Sequence, residues 1–163
     1  MERCYKLRST YISGSYICLL TSIGITIQGR IASIMKTPEL LAPAGNLEKL
    51  KIAIEYGADA VYMGGKQFGL RAFADNFDID EMQRAVEYAH ERDRRVYVTM
   101  NIFAHNNDFR GMEEYVRSIA AAKIDGIILS DPGILDLVKN VAPDTKIHLS
   151  TQANTTNWRS VFQ

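Results

Sequence analysis

Cysteine is nearly missing from this 163-residue chain, and both copies, Cys4 and Cys18, fall in its first 34 residues. Beyond Cys18 there is no thiol, so that stretch can form neither an internal disulfide nor a cysteine-ligated metal or iron–sulfur centre of its own. Excess charge is missing too. Nineteen Lys and Arg balance nineteen Asp and Glu, which removes the overall basic surplus that nucleic-acid binding draws on. There is also no clean long apolar run. The best one, from Tyr11 to Ile27, is interrupted by Ser13, Gly14, Ser15, Thr21, Ser22, Gly24 and Thr26, whereas a bilayer span needs about 20 predominantly apolar residues. What remains is ordinary globular composition, 47% hydrophobic and 23% charged, which argues against disordered, collagen-like and multi-span membrane classes.

The balanced charge is unevenly spread. Arg3, Lys6, Arg8 and Arg30 stand against Glu2 in the first 34 residues, a net of +3, leaving fifteen basic and eighteen acidic residues, a net of −3, for the rest. Residues 1–34 are expected to be a non-core leader, either an upstream extension or a weak targeting segment, with no membrane partner. Residues 35–163 are expected to carry the fold.

From Pro38 short apolar runs alternate with longer amphipathic ones. Strands are expected at Glu39–Ala42, Ala60–Met63, Arg95–Met100, Gly126–Leu129 and Lys146–Ser150. Asn46 is placed to cap the first helix, and Asp78 and Glu81 have the spacing of a capping box before the second. A helix from about Gly111 to Ala122 follows the third strand, a short one through Leu135, Leu137 and Val138 follows the fourth, and another begins near Trp158. Near-continuous apolar strands between amphipathic helices read as parallel strands buried on both faces, hence an α/β class with right-handed crossovers. The strands recur about every 27 residues, so eight units would need about 215, within the range of a (β/α)₈ barrel. The fold expected for residues 35–163 is therefore a parallel (β/α) barrel of TIM type, truncated after about five strands. No Gly-x-Gly-x-x-Gly follows the first strand, which disfavours the doubly wound dinucleotide-binding alternative.

In a barrel, ligands gather at the loops that follow the strands. Those loops offer Asn46 after the first strand, Gly64, Gly65 and Arg71 after the second, Asn101 after the third, Asp131 after the fourth, and Gln152 and Asn154 after the fifth. These eight are the ligand-binding candidates; no residue is assigned as catalytic and none as a metal ligand. Arg71 can grip a carboxylate or phosphate at two points. Gly64-Gly65-Lys66 lacks the upstream glycine and the following Ser or Thr of a phosphate loop and reads as a turn. Asp131, His148 and Ser150 hint at a hydrolytic triad, yet no nucleophile elbow is present, and His148 is expected to be a buried, hydrogen-bonded structural residue. His90-Glu91 lacks the second histidine of a zinc motif.

The blocks Pro38-Glu39-Leu40-Leu41-Ala42-Pro43-Ala44-Gly45-Asn46, Gly57-Ala58-Asp59-Ala60-Val61-Tyr62-Met63-Gly64-Gly65, Arg71-Ala72 with Asn76-Phe77, and His148-Leu149-Ser150-Thr151-Gln152-Ala153-Asn154 occur in that order. Together they resemble the N-terminal part of peptidase family U32, the collagenase-like group, from about Met35 to Arg159. The resemblance implies a start at Met35 and a barrel continuing past Gln163. It implies a family in which some members are called peptidases of unknown catalytic type. Others hydroxylate tRNA, rRNA or a quinone precursor with an iron–sulfur cluster, prephenate being the hydroxyl donor. The cluster-holding cysteines of full-length relatives lie C-terminal to the matched region, so no cofactor is expected in this chain. Of the family activities RNA hydroxylation suits these residues better than proteolysis, since they offer amides and one arginine. Arg71, Asn101 and Gln152 would hold a small carboxylated or amide-bearing ligand, and RNA would be a partner of the full-length form. Cytoplasmic localisation follows. The alternatives are an inactive fragment or half-barrel that needs a partner or self-associates through its open edge, a quinone-precursor hydroxylation subunit, and an unrelated small-molecule barrel enzyme.

Overall fold

Local chemistry sets the helix starts. In the computed structural model, which describes residues 38–69 and 76–161, the side chain of Asn46 accepts a hydrogen bond from Lys49 N at 2.9 Å and opens α1, Leu47–Glu55. Asp78 accepts from Glu81 N at 2.8 Å while Glu81 accepts from Asp78 N at 3.0 Å, a complete capping box at the head of α2, Ile79–His90. Asp131 accepts from Gly133 N and Ile134 N at 2.8 and 3.0 Å, with Pro132 in the first turn of α4, Pro132–Val141. The helix between them, α3 at Met112–Ala121, starts from Gly111, whose φ of +78° favours glycine. A one-turn helix α5, Trp158–Val161, ends the described chain. The leader and Arg71 lie outside the described residues.

Five strands, β1 (Leu41–Pro43), β2 (Ala60–Gly64), β3 (Arg95–Met100), β4 (Gly126–Leu129) and β5 (Ile147–Leu149), form one parallel sheet in the order β1-β2-β3-β4-β5. Strand order equal to chain order leaves no switch point of the doubly wound kind. With right-handed crossovers it also stacks successive helices on one face of the sheet, as a barrel does. The first strand is displaced from its expected Glu39–Ala42 to Leu41–Pro43. Proline is tolerated there because β1 has a strand neighbour on one side only among the described residues.

The helix-side face is the core. Val61, Met63, Val96, Val98, Met100, Ile127 and Leu129 are each at most 1% exposed and meet Leu50, Met82, Met112, Ile119 and Ile134 from the helices. Each such side chain contributes about 1.5–3 kcal/mol on burial. The other face carries different chemistry. The register places Pro43, Tyr62, Tyr97 and Gly126 in one row, and Gly64, Thr99, Ile128 and His148 in the next. Strands expected to be apolar on both sides therefore have one aromatic and polar face.

The lower end of the sheet is fixed by one device used twice. Asp59 accepts from Leu40 N at 3.0 Å and from Arg94 at 2.9 Å, and Asp125 accepts from Val96 N at 2.8 Å and bonds His90 at 2.9 Å. In each case an Asp just before a strand clamps the start of the preceding strand.

Candidate functional site

A cavity of about 580 Å³ lies on the sheet face opposite the helices. Its floor is built from strand residues. Tyr62, Tyr97, Thr99, Ile128 and His148 face it, and Asn76, Asn101, Ser150, Thr151 and Gln152 form its rim at the C-terminal ends of the strands. Two glycines make the room. A Cβ on Gly126 would come within 2.9 Å of Lys146 O and 3.2 Å of His148 Cδ2, and one on Gly64 within 3.3 Å of Asn76 Oδ1 and 3.4 Å of Thr99 Oγ1.

Toward the lower end of the floor the polar groups are linked. Tyr97 Oη donates to Glu39 Oε1 at 3.0 Å, and Arg95 Nε meets the same oxygen at 3.2 Å. Burial, and then the hydrogen bond to Glu39, raise the Tyr97 phenol above its ordinary value. Its ring lies 4.7 Å from the His148 ring, tilted by 55°. Thr99 Oγ1 donates to Met63 O at 3.3 Å. At the rim Ser150 Oγ donates to Gln152 Oε1 at 3.3 Å.

Of the candidates read from the loops, Gly64, Asn101 and Gln152 line this cavity. Asn46 and Asp131 do not line it, and their side chains cap α1 and α4. Gly65 leaves the cavity wall and lies against the hydroxyl of Tyr115 and Met82 Cε, where a Cβ would not fit. Asn154 closes the 3₁₀ turn Thr151–Ala153 in the left-handed region, with φ of 52°. Lys66 in the Gly64-Gly65-Lys66 turn pairs with Asp78 at 3.0 Å.

His148 corrects an expectation. It is exposed, not buried, and stacks on Tyr97. No triad assembles either, because the Ser150 hydroxyl bonds Gln152 and the Asp131 carboxylate is taken up by the head of α4. Tyr62, Tyr97, Thr99 and His148 were missed as site residues although a signal existed. They alternate with Val61, Met63, Val96, Val98 and Ile147 at the two-residue period of a strand.

The wall can hold a neutral or anionic group through amides and hydroxyls and pack a flat surface against Tyr62, Tyr97 and His148. It does not supply a cluster. Among the described residues no group of three His, Cys, Asp or Glu is arranged to bind a metal, and both cysteines precede the described part. The donor set of the described residues, which include no cysteine, does not fit an iron–sulfur cluster. No helix among the described residues is long and apolar enough to cross a membrane.

A sequential parallel β/α sheet with helices on one face and a ligand-sized cavity on the other is barrel-type architecture. The family model described as peptidase family U32 matches residues 45–162, and the chain belongs to that family. It is 53% identical over 128 residues to tRNA hydroxylation protein P1 of Bacillus subtilis, covering 78% of this chain and 30% of that protein. It is 34% identical over 116 residues to a 23S rRNA 5-hydroxycytidine synthase of Escherichia coli, covering 71% of this chain and 17% of the relative. The solved structure of the U32 peptidase Mk0906 superposes with a TM-score of 0.60 at 14% identity, over 78% of this chain and 56% of that one. The chain thus spans less than a third of each of these two curated relatives.

Proposed function

We propose that the chain provides the N-terminal, ligand-holding wall of a cytoplasmic RNA-hydroxylation protein, with a small carboxylated or amide-bearing ligand in the cavity beneath Asn76, Asn101 and Gln152. One observation carries this reading: the 53% identity with the tRNA hydroxylation protein of Bacillus subtilis extends across 128 residues, 78% of this chain. The site chemistry agrees with it. Amide and hydroxyl groups surround a space in which no nucleophile–base pair forms among the described residues, which favours holding a ligand over cleaving a peptide. RNA itself would be met by polypeptide beyond this part. Arg92, Arg94 and Arg95 sit beside Glu91, Asp59 and Glu39 at 3.3, 2.9 and 3.2 Å, so this basic run is already neutralised. An iron–sulfur cluster, where the reaction uses one, belongs to the same further polypeptide.

The test is a chimera. The matched segment of tRNA hydroxylation protein P1 is replaced by the corresponding residues of this chain, and the hybrid is expressed in Bacillus subtilis lacking its own tRNA hydroxylation proteins. Mass spectrometry of tRNA nucleosides should show hydroxylation restored. A hybrid that accumulates as folded protein and leaves the tRNA unhydroxylated would overturn the proposal.

A further inference from the structure

The described lining of the cavity holds one residue able to carry positive charge, His148. We propose that His148 binds the carboxylate of an anionic ligand, with Tyr97, tied to Glu39, positioning its ring. The inference deepens the functional reading and rests on it only in that the cavity is a ligand site.

The two strand-proximal histidines contrast. His90 has a carboxylate partner, Asp125, at 2.9 Å, and its role is accounted for by the clamp at the base of β3. Neither imidazole nitrogen of His148 has a hydrogen-bond partner among the described residues. Its ring is nevertheless held. Tyr97 packs against it at 4.7 Å, Glu39 holds the Tyr97 hydroxyl at 3.0 Å, and Arg95 holds Glu39 at 3.2 Å. Gly126, between the two aromatic strands, leaves the gap in which the rings meet. A fixed imidazole with open nitrogens facing a cavity is arranged for a ligand rather than for the fold.

The charges around it set the orientation. From β3 His148 is approached by Tyr97, from β4 by the uncharged Gly126 and Ile128, and Lys146 lies two residues away, just before its own strand, while Glu39 and Arg95 lie behind Tyr97 at the lower end of the floor. Glu39 makes the floor unfavourable for an anion, although Arg95 and the Tyr97 hydroxyl offset part of its charge. A carboxylate is therefore directed to the His148 side of the cavity that opens toward the Ser150 and Gln152 rim, with the rest of the ligand across Tyr62 and Tyr97. An imidazolium N–H makes a charge-assisted hydrogen bond to a carboxylate and only an ordinary one to a neutral isostere, so the side chain distinguishes the two ligands.

The probes are benzoate and its uncharged counterpart benzamide, titrated into the whole chain and followed by the imidazole proton resonances in NMR. The expected result is benzoate bound about tenfold more tightly than benzamide, with His148 resonances shifted by benzoate. His148→Gln, which preserves a hydrogen-bonding side chain without the charge, should abolish that preference. Tyr97→Phe, which releases the ring from Glu39, should keep the preference with reduced affinity, as a positioning role requires. Benzoate binding that is absent, no tighter than that of benzamide, or unchanged in His148→Gln overturns the proposal. A failed chimera with benzoate binding intact would remove the RNA-hydroxylation reading alone and leave the anion site standing.

Discussion

The hydroxyl of Tyr115 is buried without a hydrogen-bond partner among the described residues, and burial lifts the phenol far above its ordinary value. A buried hydroxyl in that condition costs about 1–3 kcal/mol, so its retention is set by shape. The ring lies 5.2 Å from Phe68, and the hydroxyl fills the space against Gly65. Tyr115→Phe should therefore leave the urea midpoint unchanged or raise it, by up to about 1 kcal/mol of stability; a clear loss would show that the hydroxyl has a partner the native protein depends on. Gly65→Ala should cost about 1–3 kcal/mol by overpacking, because its Cβ would also come within 2.9 Å of Met82 Cε. In the double variant part of that cost should disappear, the coupling expected of residues in direct contact. Additive losses would mean that Tyr115 and Gly65 do not share the space.

Elements are fixed mainly at their ends, and two ends give measurable expectations. The Glu81 backbone N–H, then Lys66, hold the Asp78 carboxyl below the usual carboxylate range. A depressed folded value contributes stability that is present above the unfolded carboxylate pKa and is lost as pH falls through the folded one. Melting temperature should accordingly drop on acidification below about pH 4, and Asp78→Ala should lower it at neutral pH while flattening that acid limb; an unchanged acid profile would exclude the cap as its source. Asp125→Ala should cost about 1–3 kcal/mol by leaving Val96 N unpaired, read from urea unfolding, and a neutral outcome would show that the clamp does not fix β3. Such ends were legible in the sequence, since Asn46, Asp78 with Glu81, and Asp131 before Pro132 announce helix starts within a few residues. So was the parallel alternation of strands and helices. The cavity face was legible only in part. Runs such as Val96-Tyr97-Val98-Thr99 look apolar throughout, and only the register of five strands shows Tyr97 and Thr99 sharing a face with Tyr62 and His148. Polar loop residues misled for the same reason: Asn46 and Asp131 have the chemistry of ligand contacts and of helix caps alike, and the backbone N–H groups three positions on claim them.

At the scale of the whole molecule the borders of the sheet set the expected behaviour. Among the described residues β1 and β5 each have one strand neighbour, and apolar side chains gather at those borders. Leu41 is 42% exposed on β1, Leu149 53% on β5, and Val161 70% on α5. Unpaired edges with apolar surroundings favour association with another chain unless something covers them. The expectation is that the purified chain self-associates, its light-scattering mass rising with concentration above the 18.3 kDa of one chain. Leu41→Lys with Leu149→Lys should restore that single-chain mass, because lysine on an edge strand opposes edge pairing. Raising the salt concentration should leave association of the unaltered chain in place, since screening weakens charge contacts and not apolar ones. A wild-type mass that stays at one chain over the whole concentration range would mean that the borders are already covered, and that the half-wound sheet is self-sufficient.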